Sequence, residues 1–311
     1  MIFEEYIISP LNQTDLMRIE NEHYVFVGGD RYPIVQEVPI LVAANNSMFE
    51  LEGIIQQKPL TQNKSYSNKR NLKNFIRTSL LPKLNKDWAL KERYKNLATR
   101  VTGGKVLIIG AGSKIDFYKS IFQQSSIVIT SDIHLQYNPD IVFDVHQIPF
   151  KSEAFDLVLA AQVMEHTIRP WIAASELERV VKPNGLIQVE VPFAFPYHGA
   201  PYDFFRFTFT GMRSLFRYCR LEAFMASEGT FTAAAVTNAQ ALVEISRSKI
   251  FRYPMLVLGR FLFFWLKYLD FFKSGRKLND MIWPKGMVFT FVKDGKERSD
   301  FDCLADYQSL K

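Results

Sequence analysis

Lys105-Val106-Leu107-Ile108-Ile109-Gly110-Ala111-Gly112-Ser113 is the stretch that decides the fold. Val106 to Ile109 is a short apolar, β-branched run of the kind that forms a buried strand. It runs straight into Gly110, Ala111 and Gly112, where missing or tiny side chains let backbone N–H groups approach a ligand. A second strand is expected over 127–130 and leads to Asp132 and Ile133. That is about twenty residues past the glycines, where a carboxylate can accept ribose hydroxyls. A third strand, 141–143, leads to Asp144 and Val145, well placed for an adenine edge. A glycine turn followed by two strand-end aspartates points to an adenosine-containing cofactor.

The turn does not suit a dinucleotide. That fold needs a third glycine so that the first helix packs closely and leaves space for a pyrophosphate. Here the position falls near Ile115, flanked by Lys114 and Asp116. Further along come Ile148-Pro149-Phe150, an apolar run over 154–159, and Val163-Met164-Glu165-His166. An amphipathic helix is predicted over 172–181, with Leu177, Val180 and Val181 on its apolar side. Lys182-Pro183-Asn184-Gly185 ends it, and 186–191 reads as another strand.

In this order and spacing, residues 105–193 closely resemble the class I S-adenosylmethionine-dependent methyltransferases, and within them the type 11 group. The resemblance implies a three-layer α/β sandwich with a mostly parallel seven-stranded sheet, Rossmann-like, whose seventh strand is inserted antiparallel. It also implies S-adenosylmethionine as cofactor. Gly110, Ala111 and Gly112 would cradle the methionine part, Asp132 with Ile133 the ribose, and Asp144 with Val145 the adenine. Gln162 would lie near the sulfonium, and Glu165-His166 would support the turn after the fourth strand. The family usually carries an acidic residue two before the first glycine, where it helps hold the methionine amino group. This chain has Ile108 there.

Beyond the fifth strand comes Pro192-Phe193-Ala194-Phe195-Pro196-Tyr197-His198-Gly199-Ala200-Pro201-Tyr202-Asp203-Phe204-Phe205-Arg206-Phe207-Thr208. Ligands of open parallel sheets bind beyond the carboxyl ends of strands, and this loop starts from one. His198 has an ordinary pKa suited to taking a proton from a hydroxyl acceptor, with Asp203 and Arg206 as acceptor contacts. The competing reading is a latch, with His198 on backbone and Asp203 paired to Arg206. The phrase resembles one in methyltransferases of bacterial surface-glycan biosynthesis, which implies a sugar-like acceptor. The activity expected is methyl transfer to a small-molecule or glycan-linked acceptor, with oxygen as the methylated atom.

Of 311 residues, 48% are hydrophobic and 23% charged, an ordinary soluble balance with room for one full domain and a small accessory one. Residues 1–60 read as a small N-terminal β-hairpin unit, 61–100 as a basic helical linker or cap, and 101–311 as the methyltransferase domain. Strands are expected over 24–27 and 32–35, and 38–42 as an edge segment because Pro39 cannot donate to a central ladder. Tyr32-Pro33-Ile34-Val35 and Pro39-Ile40-Leu41 resemble the zinc-ribbon-like activator modules of some methyltransferases. Their cysteines are missing, so such a module would be free of zinc, and a plain hairpin competes with it. With only Cys219 and Cys303, neither a disulfide framework nor a cysteine metal site is supported, and nothing requires a metal. The N-terminus lacks the charged and apolar regions of a secretory signal, so the cytoplasm is the expected compartment.

Net charge is +6, and twelve Lys or Arg fall between Thr61 and Lys105 against Asp87 and Glu92. Tyr66, Phe75, Trp88 and Tyr94 are too sparse for a base-stacking platform, so a solvated helical face is preferred to a nucleic-acid site. Helices are expected over 71–80 and 88–99. Toward the C-terminus, a helix over 210–218 and strands over 221–226 and 287–292 bracket a hydrophobic helical insertion at about 235–285. Within it, 254–272 is nearly continuous apolar sequence with Arg260 and Lys267 a heptad apart on one face. It reads as a core or homodimer helix, a substrate lid, or a peripheral membrane contact. Two other function classes compete: a nicotinamide-dependent oxidoreductase, disfavoured by the missing glycine, and a nucleoside-binding protein without turnover, motivated by Ile108.

Overall fold

The computed structural model describes residues 3–43, 47–58, 81–245, 248–272 and 281–308. The helix expected over 71–80, and with it the first part of the basic stretch, lies outside the described residues. Four short strands begin the chain: β1 (Leu16–Glu20), β2 (His23–Phe26), β3 (Arg31–Val35) and β4 (Val38–Leu41). Helix α1 (Leu51–Ile55) follows, then α2 (Leu90–Arg100), β5 (Lys105–Ile109), α3 (Ile115–Ile121), β6 (Ile127–Ser131) and β7 (Val142–Phe143). Next come β8 (Phe155–Ala161), α4 (Pro170–Val180), β9 (Val181–Pro192), α5 (Phe209–Arg213) and β10 (Cys219–Glu228). A helical excursion then leads to β11 (Gly286–Lys293).

Six of these strands form one sheet in the order β10-β11-β9-β8-β5-β6. β5, β6, β8 and β9 are mutually parallel, while β11 runs antiparallel to both its neighbours. β7 adds the seventh position through a parallel bridge between Ser131 and Ile141. This is the expected Rossmann-like sandwich with its one reversed strand. The alternation of β5 explains its layers. Val106 and Ile108 pack with Tyr94, Leu97, Tyr118 and Phe122 of the α2–α3 side. Leu107 and Ile109 face the opposite layer, with Ala173 and Leu177 of α4. A strand covered on both faces has no polar side, which is why the run reads as continuously apolar.

Lys182-Pro183-Asn184-Gly185 does not end α4 as a free turn. It bulges out inside β9, between the pairs Phe155–Val181 and Leu157–Leu186. Asn184 takes a left-handed conformation (φ +63°). At Gly185, a Cβ would come within 2.8 Å of Val181 Cγ2 and 2.9 Å of Lys182 O, so only glycine closes the bulge. Helix α5 is shorter than expected. Thr208 Oγ1 caps it by accepting from Gly211 N (3.1 Å). Past Arg213 the guanidinium takes the carbonyls of Phe216 (2.6 Å) and Cys219 (3.2 Å), replacing the missing helical donors.

The N-terminal strands extend this sheet. Their order is β1-β2-β3-β4-β7, with β4 parallel to β7. β4 is therefore not the edge that Pro39 suggested. Val38 and Pro39 pair with β3 while Ile40 and Leu41 pair with β7, so each neighbour takes half of the strand. The actual edge is β1, which sequence reading missed because Leu16 to Glu20 shows no buried alternation. Phe3, Tyr24, Phe26 and Leu41 share one core with Ile141, Phe143 and Phe150.

Between β10 and β11 the chain makes α6 (Thr230–Ile245), α7 (Lys249–Phe263), a 3-10 segment Phe264–Tyr268, and α8 (Leu269–Phe272). The single helix expected over 254–272 is thus broken, and Arg260 and Lys267 belong to different segments rather than one face. Lys267 is buried, with Nζ donating to the Lys83 carbonyl at 2.5 Å. Asp270 folds back to accept from Phe231 N (3.0 Å) and Thr232 N (2.8 Å) at the start of α6. α6 and α7 meet where a Cβ on Gly259 would lie 3.0 Å from the Ala239 Cα. The outer face is apolar and exposed, including Phe251, Phe261, Leu262, Trp265, Phe271 and Phe272. Among the described residues no helix is long and apolar enough to cross a membrane.

Candidate active site

The carboxyl ends of β5, β6 and β8 converge on a cavity of about 340 Å³. Gly110 turns at φ +70°, and a Cβ there would lie 2.4 Å from Val163 Cγ2, so the turn is closed to any side chain. Ala111 N donates to the Ser131 carbonyl (2.9 Å), which ties the turn to β6. Gly112, at φ +52°, donates its N–H to Asp132 Oδ2 (2.7 Å), while Asp132 Oδ1 accepts from His134 N (2.8 Å). The carboxylate at the end of β6 is thereby fixed against the glycine turn before any ligand arrives. Gly110, Ala111, Gly112, Asp132, Ile133, Val145 and Gln162 all line this cavity. Gln162 reaches it in a left-handed conformation (φ +60°), held by donation from its N to the Glu190 carbonyl (2.8 Å).

Asp144 does not line the cavity. Its carboxylate accepts from Ser47 Oγ (2.6 Å) and His146 N (3.0 Å) and meets His146 Nδ1 at 2.6 Å. Burial alone would raise its pKa, but the hydrogen bonds from His146 and Ser47 outweigh it and hold the group below its ordinary value. The adenine contact expected of Asp144 is spent on joining the N-terminal unit to β7. Met48 and Phe49 of that unit line the cavity instead, with the Phe49 ring tilted against Tyr202 (5.1 Å between centroids).

A carboxylate not singled out from sequence also lines the cavity. Ile108 pairs with Leu159, Leu159 with Gln188, and Ala161 with Glu190. Period-two alternation puts Glu190 on the same face as Ile108, two residues nearer the carboxyl ends. Glu190 Oε1 accepts from Arg93 Nη2 (3.0 Å) and Gln188 Nε2 (2.9 Å). Arg93 comes from α2 and also donates to Asp87 (2.7 Å). Its guanidinium is desolvated, but the charges of Glu190 and Asp87 more than offset this and raise its pKa. The signal for Glu190 is Gln188-Val189-Glu190-Val191, two polar residues alternating within the otherwise apolar run 185–192, all of which is buried.

The loop after β9 closes one end. Asp203 and Arg206 form the latch, not a pair facing an acceptor. Arg206 Nη1 donates to Asp203 Oδ1 (2.6 Å) and the Phe205 carbonyl (2.8 Å), and Nη2 to Asp203 Oδ2 (2.8 Å) and the Pro196 carbonyl (3.0 Å). Nε donates to the Phe195 carbonyl (3.0 Å), so all five guanidinium N–H groups are spent on the loop. Asp203 Oδ2 also accepts from His198 N (2.7 Å). His198 is partly buried behind His166, their rings 4.9 Å apart, and His166 is the one that lines the cavity. Burial lowers the pKa of both imidazoles. Glu165, beside them, is fully buried, and burial pushes its carboxyl up to about 8. His166 was read from sequence as support for a turn. It does hold the loop, its Nδ1 against the Tyr202 carbonyl, and it also reaches the cavity.

Residues 122–189 match a family model described as a methyltransferase domain, of the type 11 group. Together with the strand order and glycine turn above, the match supports a class I, type 11-like, S-adenosylmethionine-dependent methyltransferase. A solved structure from Galdieria sulphuraria, assigned as a sarcosine dimethylglycine methyltransferase, is similar at 15% identity over 67% of this chain and 86% of that one, with a TM-score of 0.44. Coclaurine N-methyltransferase bound to N-methylheliamine and SAH is similar at 12% identity over 67% of this chain and 72% of that one, TM-score 0.41. A chain from the complex of the Haloferax volcanii Trm112 methyltransferase activator with its assigned methyltransferase is similar at 16% identity, over 66% and 96%, TM-score 0.41. No curated protein sequence matches the chain.

Proposed function

We propose that this chain transfers a methyl group from S-adenosylmethionine to a small-molecule or glycan-linked acceptor, with oxygen as the methylated atom. The observation that carries this reading is one cavity lined at once by the glycine turn, Asp132, Glu190 and His166. The residues present suit the cofactor. Gly110 leaves no room for a side chain of its own, Asp132 is pre-set by the Gly112 N–H, and Ile133 and Val145 offer apolar flanks. Glu190 supplies the carboxylate that Ile108 does not, for the methionine amino group. The cofactor would bring a methyl made electrophilic by its sulfonium. The chain's own part is to hold the acceptor in line within van der Waals reach and to exclude water. Tyr202 and Phe49 close that side, and His166, with His198 behind it, is where a hydroxyl acceptor would meet nitrogen.

Calorimetry with S-adenosylhomocysteine tests the cofactor half. Micromolar binding is expected for the wild type, weakened roughly tenfold by Glu190→Gln, the cost of about 1.4 kcal/mol for one charge-assisted contact. Binding unchanged by both Glu190→Gln and Asp132→Ala would sink the assignment of these residues. A screen of hydroxylated sugars with methyl-labelled cofactor tests the transfer. Cofactor binding with no labelled product from any acceptor would favour the non-catalytic reading.

A further inference from the structure

Behind the acceptor end, three electron-rich groups face one another without a hydrogen-bonded proton between them. Glu165 is completely buried, and among the described residues no other residue donates a hydrogen bond to either of its carboxylate oxygens. Without an ion such a group is driven to its neutral form, and as a carboxylate it would need a cation beside it. His166 Nδ1 lies against the Tyr202 carbonyl and must donate to it, which leaves Nε2 as the bare nitrogen. That Nε2 is 3.7 Å from Glu165 Oε1, too far for a hydrogen bond.

The same bookkeeping settles His198. Its Nδ1 lies 3.3 Å from the Pro196 carbonyl and 3.4 Å from Asp203 Oδ2, both acceptors. Arg206 Nη2 is also close (3.2 Å), but its two protons already go to Pro196 and Asp203. Nδ1 of His198 therefore carries the proton, and its Nε2 is bare as well. One ligand atom from each of Glu165, His166 and His198 falls within 4.8 Å of the other two.

We propose that Glu165, His166 and His198 bind a divalent cation of the zinc class, with a remaining coordination position open toward the cavity. Two imidazole nitrogens and one carboxylate form a ligand set with the right hardness for that ion, and such sites keep one position for water or substrate. Both imidazoles have the support a metal-bound histidine needs: an N–H held by a carbonyl for His166, and by Pro196 and Asp203 for His198. Metal–ligand bonds of about 2.0–2.2 Å put tetrahedral ligands roughly 3.4 Å apart, so the 3.7 Å pair must close slightly and no pair, all lying within 4.8 Å, by more than about 1.4 Å. The Arg206 charge does not oppose the ion strongly, because Asp203 pairs with it through both oxygens. Gly199 makes the arrangement possible: it turns at φ +66°, and a Cβ there would lie 3.1 Å from His166 Cε1. Placed here, the ion would occupy the bare His166 nitrogen and would itself, in place of that nitrogen, hold and polarise an acceptor oxygen. That role rests on the proposed methyl transfer, whereas the ion binding itself does not.

The test titrates the chelator-treated full chain with Co²⁺, without cofactor or acceptor, and follows the visible d–d absorption of the bound ion. Binding of one equivalent, displaced by Zn²⁺ and weakened at least tenfold in Glu165→Gln and in His198→Gln, is expected. Near-ultraviolet circular dichroism of both variants shows whether they remain folded. If both have lost their fold, the wild-type spectrum decides: bands of a Co²⁺ site with nitrogen ligands support the proposal. A wild type that takes up no Co²⁺ overturns it, as does uptake equally strong in folded Glu165→Gln and His198→Gln. Co²⁺ binding without S-adenosylhomocysteine binding would keep the ion site and remove the cofactor reading.

Discussion

Two stretches of this chain are equally apolar on paper and opposite in the fold. Val106 to Ile109 and Leu157 to Ala160 are at most 4% exposed, each flanked by a parallel strand and covered on both faces. Phe261, Leu262, Trp265, Phe271 and Phe272 are between 49% and 78% exposed on the helical hairpin. The difference teaches that hydrophobicity sets what a segment could bury, while topology sets what it does bury. A central parallel strand has layers above and below by construction. A hairpin inserted between the last two strands has only its inner stripe to spend, here Thr232, Ala233, Ala235 and Ala239.

The contrast can be broken or sharpened by substitution. Leu159→Ala in the sheet should cost about 3 kcal/mol, read as a fall in the urea midpoint, because the cavity it leaves has rigid walls on both sides. A loss under 1 kcal/mol would mean that the sheet is far more compliant than its burial indicates. Asp144→Asn should cost about 2 kcal/mol at neutrality by weakening the charge-assisted bonds from Ser47 and His146. The folded pKa of Asp144 is depressed, so its contribution is present above the unfolded carboxylate value and is lost as pH falls through the folded one. The wild type should therefore lose this increment on acidification, and the variant should show a flatter acid limb. Gly259→Val should cost roughly 1–2 kcal/mol by pushing α7 off Ala239. Hydrogen exchange should place that loss in α6 and α7 and leave β5 and β8 protected. Phe272→Ser should change stability by less than about 0.5 kcal/mol, since its ring already meets water. Vesicle flotation and sedimentation of this last variant beside the wild type then report whether a lipid surface or a second copy uses the face.

The half of the molecule that could be read from sequence is the half built on local pattern. Strand β5, the glycine turn and Asp132 follow from short runs whose meaning does not depend on distant residues, whereas the reversal of the final strand is implied only by the family resemblance. What escaped depends on pairing across the chain. Glu190 becomes a cavity residue only because its register with Ala161 carries it past Ile108. Asp144 leaves the cavity only because Ser47, 97 residues earlier, reaches it. Arg206 looked free to hold an acceptor until its five N–H groups were traced to Asp203 and three carbonyls of its own loop. Residues 254–272 read as one helix because the run is nearly continuously apolar, with Arg260 and Lys267 a heptad apart. The pull of Lys83 on Lys267 is tertiary and leaves no local signature.

The parallel pairing of β4 with β7 has a consequence for synthesis. Ile40 and Leu41 emerge from the ribosome about a hundred residues before Val142 and Phe143, the strand they must lie against. The β1–β4 meander can form its antiparallel ladders early, but its inner border stays an open row of backbone donors and acceptors until β7 is made. During that interval the nascent chain carries an adhesive rim at Ile40 and Leu41, short because the other half of β4 is already taken by β3.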